Sequence, residues 1–435
     1  MPPGGVGQGC TAQGKPPSAS HRGCHDCAPP HSPPPFLATE RKKKKKVKKD
    51  HSPPIPYTEE QEPHPVGSLP ADVLTEILPR VPYRSLCRFK CVSKPWLALC
   101  SDPDIRKRCP QTLSGFFFHT YSGRSGFRNL SGRGTPMVDP FLPFLRESSY
   151  NRFNVEGCCG GLLLCECSRY RPEKYKHAYV VCNPMTGKWT VLPPILSQDE
   201  EGGDYVRVKP IMEMFLGFDT AIPSCFTVFA PLTYYRKYGE FKEMAIFSSK
   251  TGRWITVETD PTTLDANSGC VFLNGTMHLA TNHGSIVTFD TKGENWGEIN
   301  MPDHMSSSKS SKVFIGQSRG QLYAWQIYIY DGDDYGDAHL YVWVLKDYNN
   351  SGKWTLMYNV SVPELFGRER GEDDFSYTAF AIHPQSNCIF LTDEEQMTVS
   401  YDMDNQKVSV ICTLKEFKDV LPYVPCFAEW PSDGH

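Results

Sequence analysis

Three short stretches of this 435-residue chain carry side chains of catalytic or metal-binding type. Gly316-Gln317-Ser318-Arg319-Gly320 has the GxSxG spacing that exposes a serine nucleophile when it sits on a strand-to-helix elbow. Residues 321–330, which follow it, are β-like, so Ser318 is expected in a hairpin turn. Asp331-Gly332-Asp333-Asp334-Tyr335-Gly336-Asp337 has the look of a calcium loop. However, Tyr335 occupies its fifth position and Val342 stands where a bidentate Glu is needed, so a solvated acidic loop is expected. Cys24-His25-Asp26-Cys27, with Cys10 and His21 nearby, offers one CxxC where a structural zinc site needs a second well-spaced pair. No H-x-x-x-H helix, phosphate loop or dinucleotide glycine pattern occurs, and His278, in an alternating strand, is expected to be packed. The chain reads as having no catalytic residue, no metal and no cofactor.

Composition narrows the class further. The formal net charge is −3, so nothing global argues for nucleic acid, and no specific nucleic acid is expected as a partner. Abundant aromatics with 34 Gly and 37 Pro suit an all-β body with many turns. No run reaches the roughly 18 apolar residues of a membrane helix, so no membrane partner is expected. The first residues, MPPGGVGQGC, lack the basic-then-apolar order of a secretory signal. The 17 cysteines are odd in number and irregular in spacing. Cys165, Cys182, Cys388 and Cys412 sit in apolar strand-like runs, as reduced thiols of an intracellular protein do. Nucleus and cytoplasm are both compatible.

The elements that would position any site fall into three regions. Residues 1–65 are rich in Pro, Gly, Ser and Lys and too poor in large apolar residues to offset ordering entropy, so a disordered tail is predicted. Within it, Arg41, Lys42, Lys43, Lys44, Lys45 and Lys46 open a cationic run that fits a nuclear import signal, a polyanion tether or a plain solvated tail.

Residues 66–110 read as three short helices. Val73, Leu74, Ile77 and Leu78 share one helical face. Pro70 suits a first turn and Asp72 complements the positive helix end. Pro79 predicts an early stop or kink. Leu86 and Phe89 form a second apolar set. Ser93 is placed to cap a third helix, with Pro95 in its first turn and Trp96 and Leu97 on its buried side. A basic linker, Ile105-Arg106-Lys107-Arg108, leads out. So much apolar surface on about forty residues exceeds what they can bury alone. The order of Leu69-Pro70, Ile77-Leu78, Arg80-Val81-Pro82, Ser85-Leu86, Phe89, Val92-Ser93 and Trp96 resembles the F-box, the module that binds Skp1 in cullin-RING ubiquitin ligases. The resemblance implies Leu69, Pro70, Ile77, Leu78, Leu86, Val92 and Trp96 as Skp1-binding residues, some of which also pack the module internally.

From residue 114 to 435, short runs rich in Val, Ile, Tyr, Phe and Thr alternate with turn signals. A repeat runs through them: CNPMTGKWTVL (182–192), FSSKTGRWITV (247–257), FDTKGENWGEI (289–299), LKDYNNSGKWTLM (345–357), and a decayed YDMDNQKVSVI (401–411) with Val408 in the Trp place. Each copy is a strand end, a tight turn built from Asn, Asp, Ser or Gly, and a return strand begun by Trp189, Trp254, Trp296 or Trp354. The Trp is expected to cover the sheet face. GCVFLNGTMHLAT (269–281) is a further hairpin around Asn274-Gly275. The spacing of copies, very roughly 40–65 residues, is that of propeller blades and gives about six. Ring closure is expected from Pro422-Tyr423-Val424-Pro425-Cys426-Phe427 supplying one strand to a blade begun by Gly115-Phe116-Phe117-Phe118-His119. Cys159-Gly160-Gly161-Leu162-Leu163-Leu164, then Val181-Cys182-Asn183-Pro184-Met185-Thr186-Gly187-Lys188-Trp189, then Leu192-Pro193-Pro194 resemble the F-box-associated domains of plant F-box proteins, which are kelch-like propellers.

The fold class expected is therefore multi-domain: a disordered N-terminal tail, a small all-α three-helix F-box, and an all-β propeller of about six blades. Together the two resemblances imply a substrate receptor of an SCF-type ubiquitin ligase. Its partners would be a Skp1-like protein, through it a cullin, and a protein target of unknown identity. A propeller enzyme and a Skp1-binding scaffold outside a ligase are the alternatives. Residues 198–209, 303–312 and 368–374 are the candidate rim loops for the target.

Overall fold

The computed structural model describes residues 69–427 apart from positions 82, 110–112, 121–124, 133, 148–149, 151, 170–175, 199–204, 209–212, 233–239, 266–267, 303–304, 306–311, 330–337, 347, 349–352, 369–375, 394–396 and 413–417. The N-terminal tail, its basic run, the lone CxxC and the acidic loop at 331–337 lie outside the described residues.

The helical module begins with α1 (Ala71–Ile77), whose N-cap position is held by Pro70 in an extended conformation (φ −54, ψ 145). Its carbonyl accepts from the N–H groups of Val73 and Leu74. Pro79 has no N–H to continue the α-helical ladder, and the chain tightens into a 3₁₀ turn over Leu78–Arg80. Helix α2 (Tyr83–Phe89) and α3 (Lys94–Ser101) follow. Ser93 caps α3, its hydroxyl oxygen accepting from Trp96 N–H at 3.4 Å. The predicted basic linker is instead a fourth helix, α4 (Pro103–Arg108). Asp102 Oδ1 accepts from the N–H groups of Asp104 (2.8 Å) and Ile105 (3.4 Å), and Pro103 fills the first helical position. The core of the module is Leu78, Leu86, Cys100, Ile105 and Cys109, flanked by Leu74, Phe89, Trp96 and Leu99. Phe89 and Trp96 meet edge to face at 5.5 Å.

Beyond it, strand β1 (Gly115–His119) pairs antiparallel with β2 (Ser125–Asn129), and a short helix α5 (Pro143–Glu147) follows. Four meanders of four strands each then contain β3 (Arg152–Cys159), β4 (Leu162–Arg169), β5 (Lys176–Asn183) and β6 (Lys188–Val191) in the first. A hairpin of β7 (Ile195–Gln198) and β8 (Tyr205–Val208) intervenes and pairs with no other sheet among the described residues; of the rim loop expected at 198–209, Gln198 and residues 205–208 are strand and the rest lies outside the described residues. The second meander holds β9 (Phe215–Phe218), β10 (Phe226–Leu232), β11 (Glu240–Ser248) and β12 (Arg253–Thr263). The third holds β13 (Cys270–Leu273), β14 (Thr276–Ala280), β15 (Ser285–Asp290) and β16 (Trp296–Asn300). The fourth holds β17 (Val313–Ser318), β18 (Gln321–Ile329), β19 (Ala338–Leu345) and β20 (Trp354–Ser361), with helix α6 (Val362–Leu365) behind it. A fifth sheet of the same kind comprises β21 (Thr378–Ile382), β22 (Cys388–Thr392), β23 (Thr398–Asp402) and β24 (Lys407–Cys412). Finally β25 (Lys418–Tyr423) turns back to pair with β1, Gly115 opposite Tyr423. The sixth sheet is thus built from both ends of the ring, as the sequence predicted.

The first strands run round in a closed circle: β3 beside β9, then β13, β17, β21, β25 and back to β3. These are the six blades of a propeller. Each blade interface holds its own apolar core. Leu163, Cys165 and Val180 face the closing sheet with Phe117 and Tyr423. On the other side of the same blade, Leu162, Leu164 and Val181 face Leu216 and Val228. Burial on both faces explains why such strands read as unbroken apolar runs.

The repeat maps onto the outer hairpin of each of the five four-stranded blades. Cys182 pairs with Trp189, Phe247 with Trp254, Phe289 with Trp296, Leu345 with Trp354 and Tyr401 with Val408. Gly187, Gly252 and Gly293 supply positive φ in the turns (70°, 67° and 70°). Asp290 Oδ1 and Asp402 Oδ1 each accept two backbone N–H groups within their turns. Two of the tryptophans also tie blades together. Trp254 Nε1 donates to Pro193 O at 2.9 Å and Trp354 Nε1 to Asn300 O at 2.8 Å, each reaching the preceding blade. Trp296 departs from the expected sheet-covering role and is exposed.

Candidate adaptor-binding face

The apolar stripe of α1 is wider than its core requires, and the fold divides it. Leu74 and Leu78, four residues apart, turn inward. Val73 and Ile77, also four apart, turn outward and are 41% and 43% exposed. Leu69 at 54%, Val92 at 64% and Leu97 at 48% add to this uncovered surface, and Pro70 is exposed beside Leu69. Covering side chains of this size contributes about 1 kcal/mol each when they begin half-exposed. Of the residues implied by the resemblance, Leu69, Pro70, Ile77 and Val92 are therefore open to a partner. Leu78 (1%) and Leu86 (0%) are sealed in the module's own core, and Trp96 is half-buried against Phe89. Leu97, expected on the buried side of α3, is exposed.

The motifs with chemical potential settle elsewhere. Ser318 ends β17, and Arg319 (φ 50°) and Gly320 (φ 71°) make the hairpin to β18. Its hydroxyl is buried and donates to Ser386 O at 3.3 Å. His278 is buried, with Nδ1 3.1 Å from the carbonyls of Val271 and Thr276. Two carbonyl acceptors fix the proton on Nδ1, so Nε2 accepts from the Tyr348 hydroxyl at 2.7 Å. Burial holds this imidazole below its ordinary pKa of 6.5. Asp404 is held below the usual carboxylate range by hydrogen bonds from Asn387 Nδ2 and the Tyr358 hydroxyl. Arg319 is paired with it at 3.2 Å. This network links the fourth blade to the fifth. Beside it lies a groove of about 500 Å³ between β20, α6 and the β23–β24 hairpin, floored by Tyr358, Val360, Leu365, Tyr401 and Val408.

The described cysteines are all free thiols. Burial pushes Cys159 up to about 12, so it has little thiolate with which to react. Among the described residues no group of three or more His, Cys, Asp or Glu is arranged to hold a metal ion. Nor is any helix among them long and apolar enough to cross a membrane.

Residues 67–108, which span α1 to α4, match the F-box domain. Residues 137–429 match the family described as "F-box protein At3g26010-like, beta-propeller", more than half of the chain. The chain belongs to this family. F-box protein At5g07610 of Arabidopsis thaliana is 26% identical to this F-box protein over 394 residues, 83% of this chain and 87% of its own length. F-box protein At5g49610 of the same plant is 24% identical over 356 residues, covering 76% and 87%. F-box protein At3g26010 is 24% identical over 364 residues, 78% of each chain. The protein is thus a plant-type F-box protein with a propeller, and Val73, Ile77 and Leu97 on its F-box helices, with Leu69 and Val92 beside them, are uncovered.

Proposed function

We propose that this protein is the substrate-recognition subunit of an SCF-type ubiquitin ligase. The module of residues 66–110 binds a Skp1-like adaptor and through it a cullin, and the ring of residues 114–435 binds a protein target. Leu69, Pro70, Ile77 and Val92, joined by Val73 and Leu97, make the adaptor contact. Leu78, Leu86 and Trp96 hold that face in shape from beneath. The observation that carries the reading is a small helical core that is already filled while large apolar side chains of the same helices stay open to water. Ubiquitin transfer belongs to the conjugating enzyme and RING subunit. This chain contributes proximity, by raising the effective concentration of a target lysine near the loaded conjugating enzyme. Such a role is intracellular, in nucleus or cytoplasm.

The test is co-purification of the full chain with a Skp1-like protein, comparing wild type with the Leu69→Ala, Pro70→Ala double variant and with Ile77→Asp. Recovery is expected to fall at least tenfold in both, an affinity loss of about 1.4 kcal/mol or more. Unchanged recovery overturns the assignment. Cullin capture on the same beads separates a ligase subunit from an adaptor-bound scaffold.

A further inference from the structure

We propose that residues 424–427 form a strut that holds the F-box helices and the propeller as one rigid body, with Phe427, Asn183 and Gly161 as its positioning residues. After β25 closes the ring, the chain crosses the first blade. Asn183, fully buried at the end of β5, donates from Nδ2 to the Cys426 carbonyl at 3.0 Å. Its Oδ1 accepts from Met185 N–H at 3.0 Å, which fixes the orientation of the amide. Gly161 lies beneath the crossing at φ +86°, and a Cβ there would collide with Val424 O and with Cys426. The side chain of Cys426 is buried in the core between the first two blades, beside Leu162 and Leu164. The next residue, Phe427, packs against the helical core formed by Leu78, Leu86, Cys100, Ile105 and Cys109.

Two consecutive residues therefore anchor in two different cores. The covalent passage between the modules runs beside it: Ser114 N–H donates to Tyr423 O at 3.0 Å, and Val424 packs on the core that holds Leu113. Cys109 is buried among the helices, and Leu113 is buried between the fifth and closing blades with Phe116 and Phe390. One connection leaves two bodies free to rotate about its backbone dihedrals, and a second segment beside it, seated in the cores of both bodies, removes that freedom. The rigidity follows from this geometry. Its purpose rests on the ligase reading: an adaptor-bound face and a target-bound ring held at fixed separation present the target at one place.

The full chain is labelled through unnatural amino acids at the exposed positions Lys94 in α3 and Lys292 in the β15–β16 turn. The distance distribution is then read by single-molecule energy transfer, with recovery of a Skp1-like protein scored in parallel. Wild type is expected to give one narrow population. Phe427→Ala and Asn183→Asp are expected to broaden it at least about twofold and to speed amide exchange in α2 and α3 roughly tenfold, while exchange in β3–β24 stays unchanged. Phe427→Leu is expected to restore the narrow distribution. A wild-type width in Phe427→Ala and Asn183→Asp overturns the strut, as does a broad distribution in wild type. Failure of wild type to recover the Skp1-like protein, with the narrow distribution intact, overturns only the ligase reading.

Discussion

The helices of residues 71–108 and the blades behind them handle apolar side chains in opposite ways. In the ring each sheet is sandwiched by two neighbours, so both faces of a strand are covered and residues such as Leu163 and Leu164 disappear into different cores. The inner strands of the ring use up their apolar surface on one another, and its exposed apolar residues, such as Leu196, Ile222 and Val410, are scattered over outer strands and loops. The helical module has one small core, and once Leu78, Leu86, Cys100, Ile105 and Cys109 fill it, Leu69, Val73, Ile77, Val92 and Leu97 have nowhere to go. The difference teaches where to look for a partner surface. An apolar residue reports a partner only where its own module has finished packing.

The sharpest way to break this contrast is Trp325→Ala. Trp325 is fully buried between the fourth and fifth blades and donates from Nε1 to Ala379 O, so its loss is expected to cost the ring about 3–5 kcal/mol in urea unfolding. A destabilisation under 1 kcal/mol would mean the blade interfaces are not the source of its stability. Within the helices, Leu86→Ala is expected to cost about 2–5 kcal/mol and Ile77→Asp less than about 0.5 kcal/mol, although both reduce adaptor recovery. Equal unfolding costs for the two would erase the division between core and open face. Tyr423→Phe is a smaller and opposite change. The Tyr423 hydroxyl is buried with no hydrogen-bond partner among the described residues, so removing it is expected to raise stability by about 1 kcal/mol. Acid probes the ring most gently. Burial lowers the pKa of His278 and of His383. The unfolded chain therefore takes up protons first, and this contribution is full above the ordinary pKa near 6.5 and is lost as pH falls toward the folded value. Thermal melts of His278→Gln are expected to vary less between pH 7 and pH 5 than those of wild type.

Much of this organisation is legible in the residues. The Trp repeat locates the outer hairpin of each blade because its turn chemistry is local: a positive φ needs Gly, and an Asp or Asn caps its own turn. The Asn274-Gly275 hairpin, the closing strand, the stop at Pro79 and the Ser93 cap follow from similarly short-range rules. What the sequence hides is rotation. A stripe of four apolar residues on α1 does not say which pair faces in, since that depends on where α2, α3 and α4 lie. Leu78 and Ile77 are adjacent, and tertiary packing alone sends one to the core and leaves the other at the surface. Helix α4 escaped notice because its charge masked the single apolar residue, Ile105, that anchors it, although Asp102-Pro103 was a usable start signal. The seating of Cys426 over Gly161 joins residues far apart in sequence and has no local signature at all.

The pairing of Gly115 with Tyr423 also dictates how this protein must be born. Roughly three hundred residues separate the two halves of the last blade, so on the ribosome β1 and β2 wait with an open edge until β25 has been made. A nascent chain cut short anywhere before β25 is left with unmated strands at both ends, a species that invites aggregation or quality control.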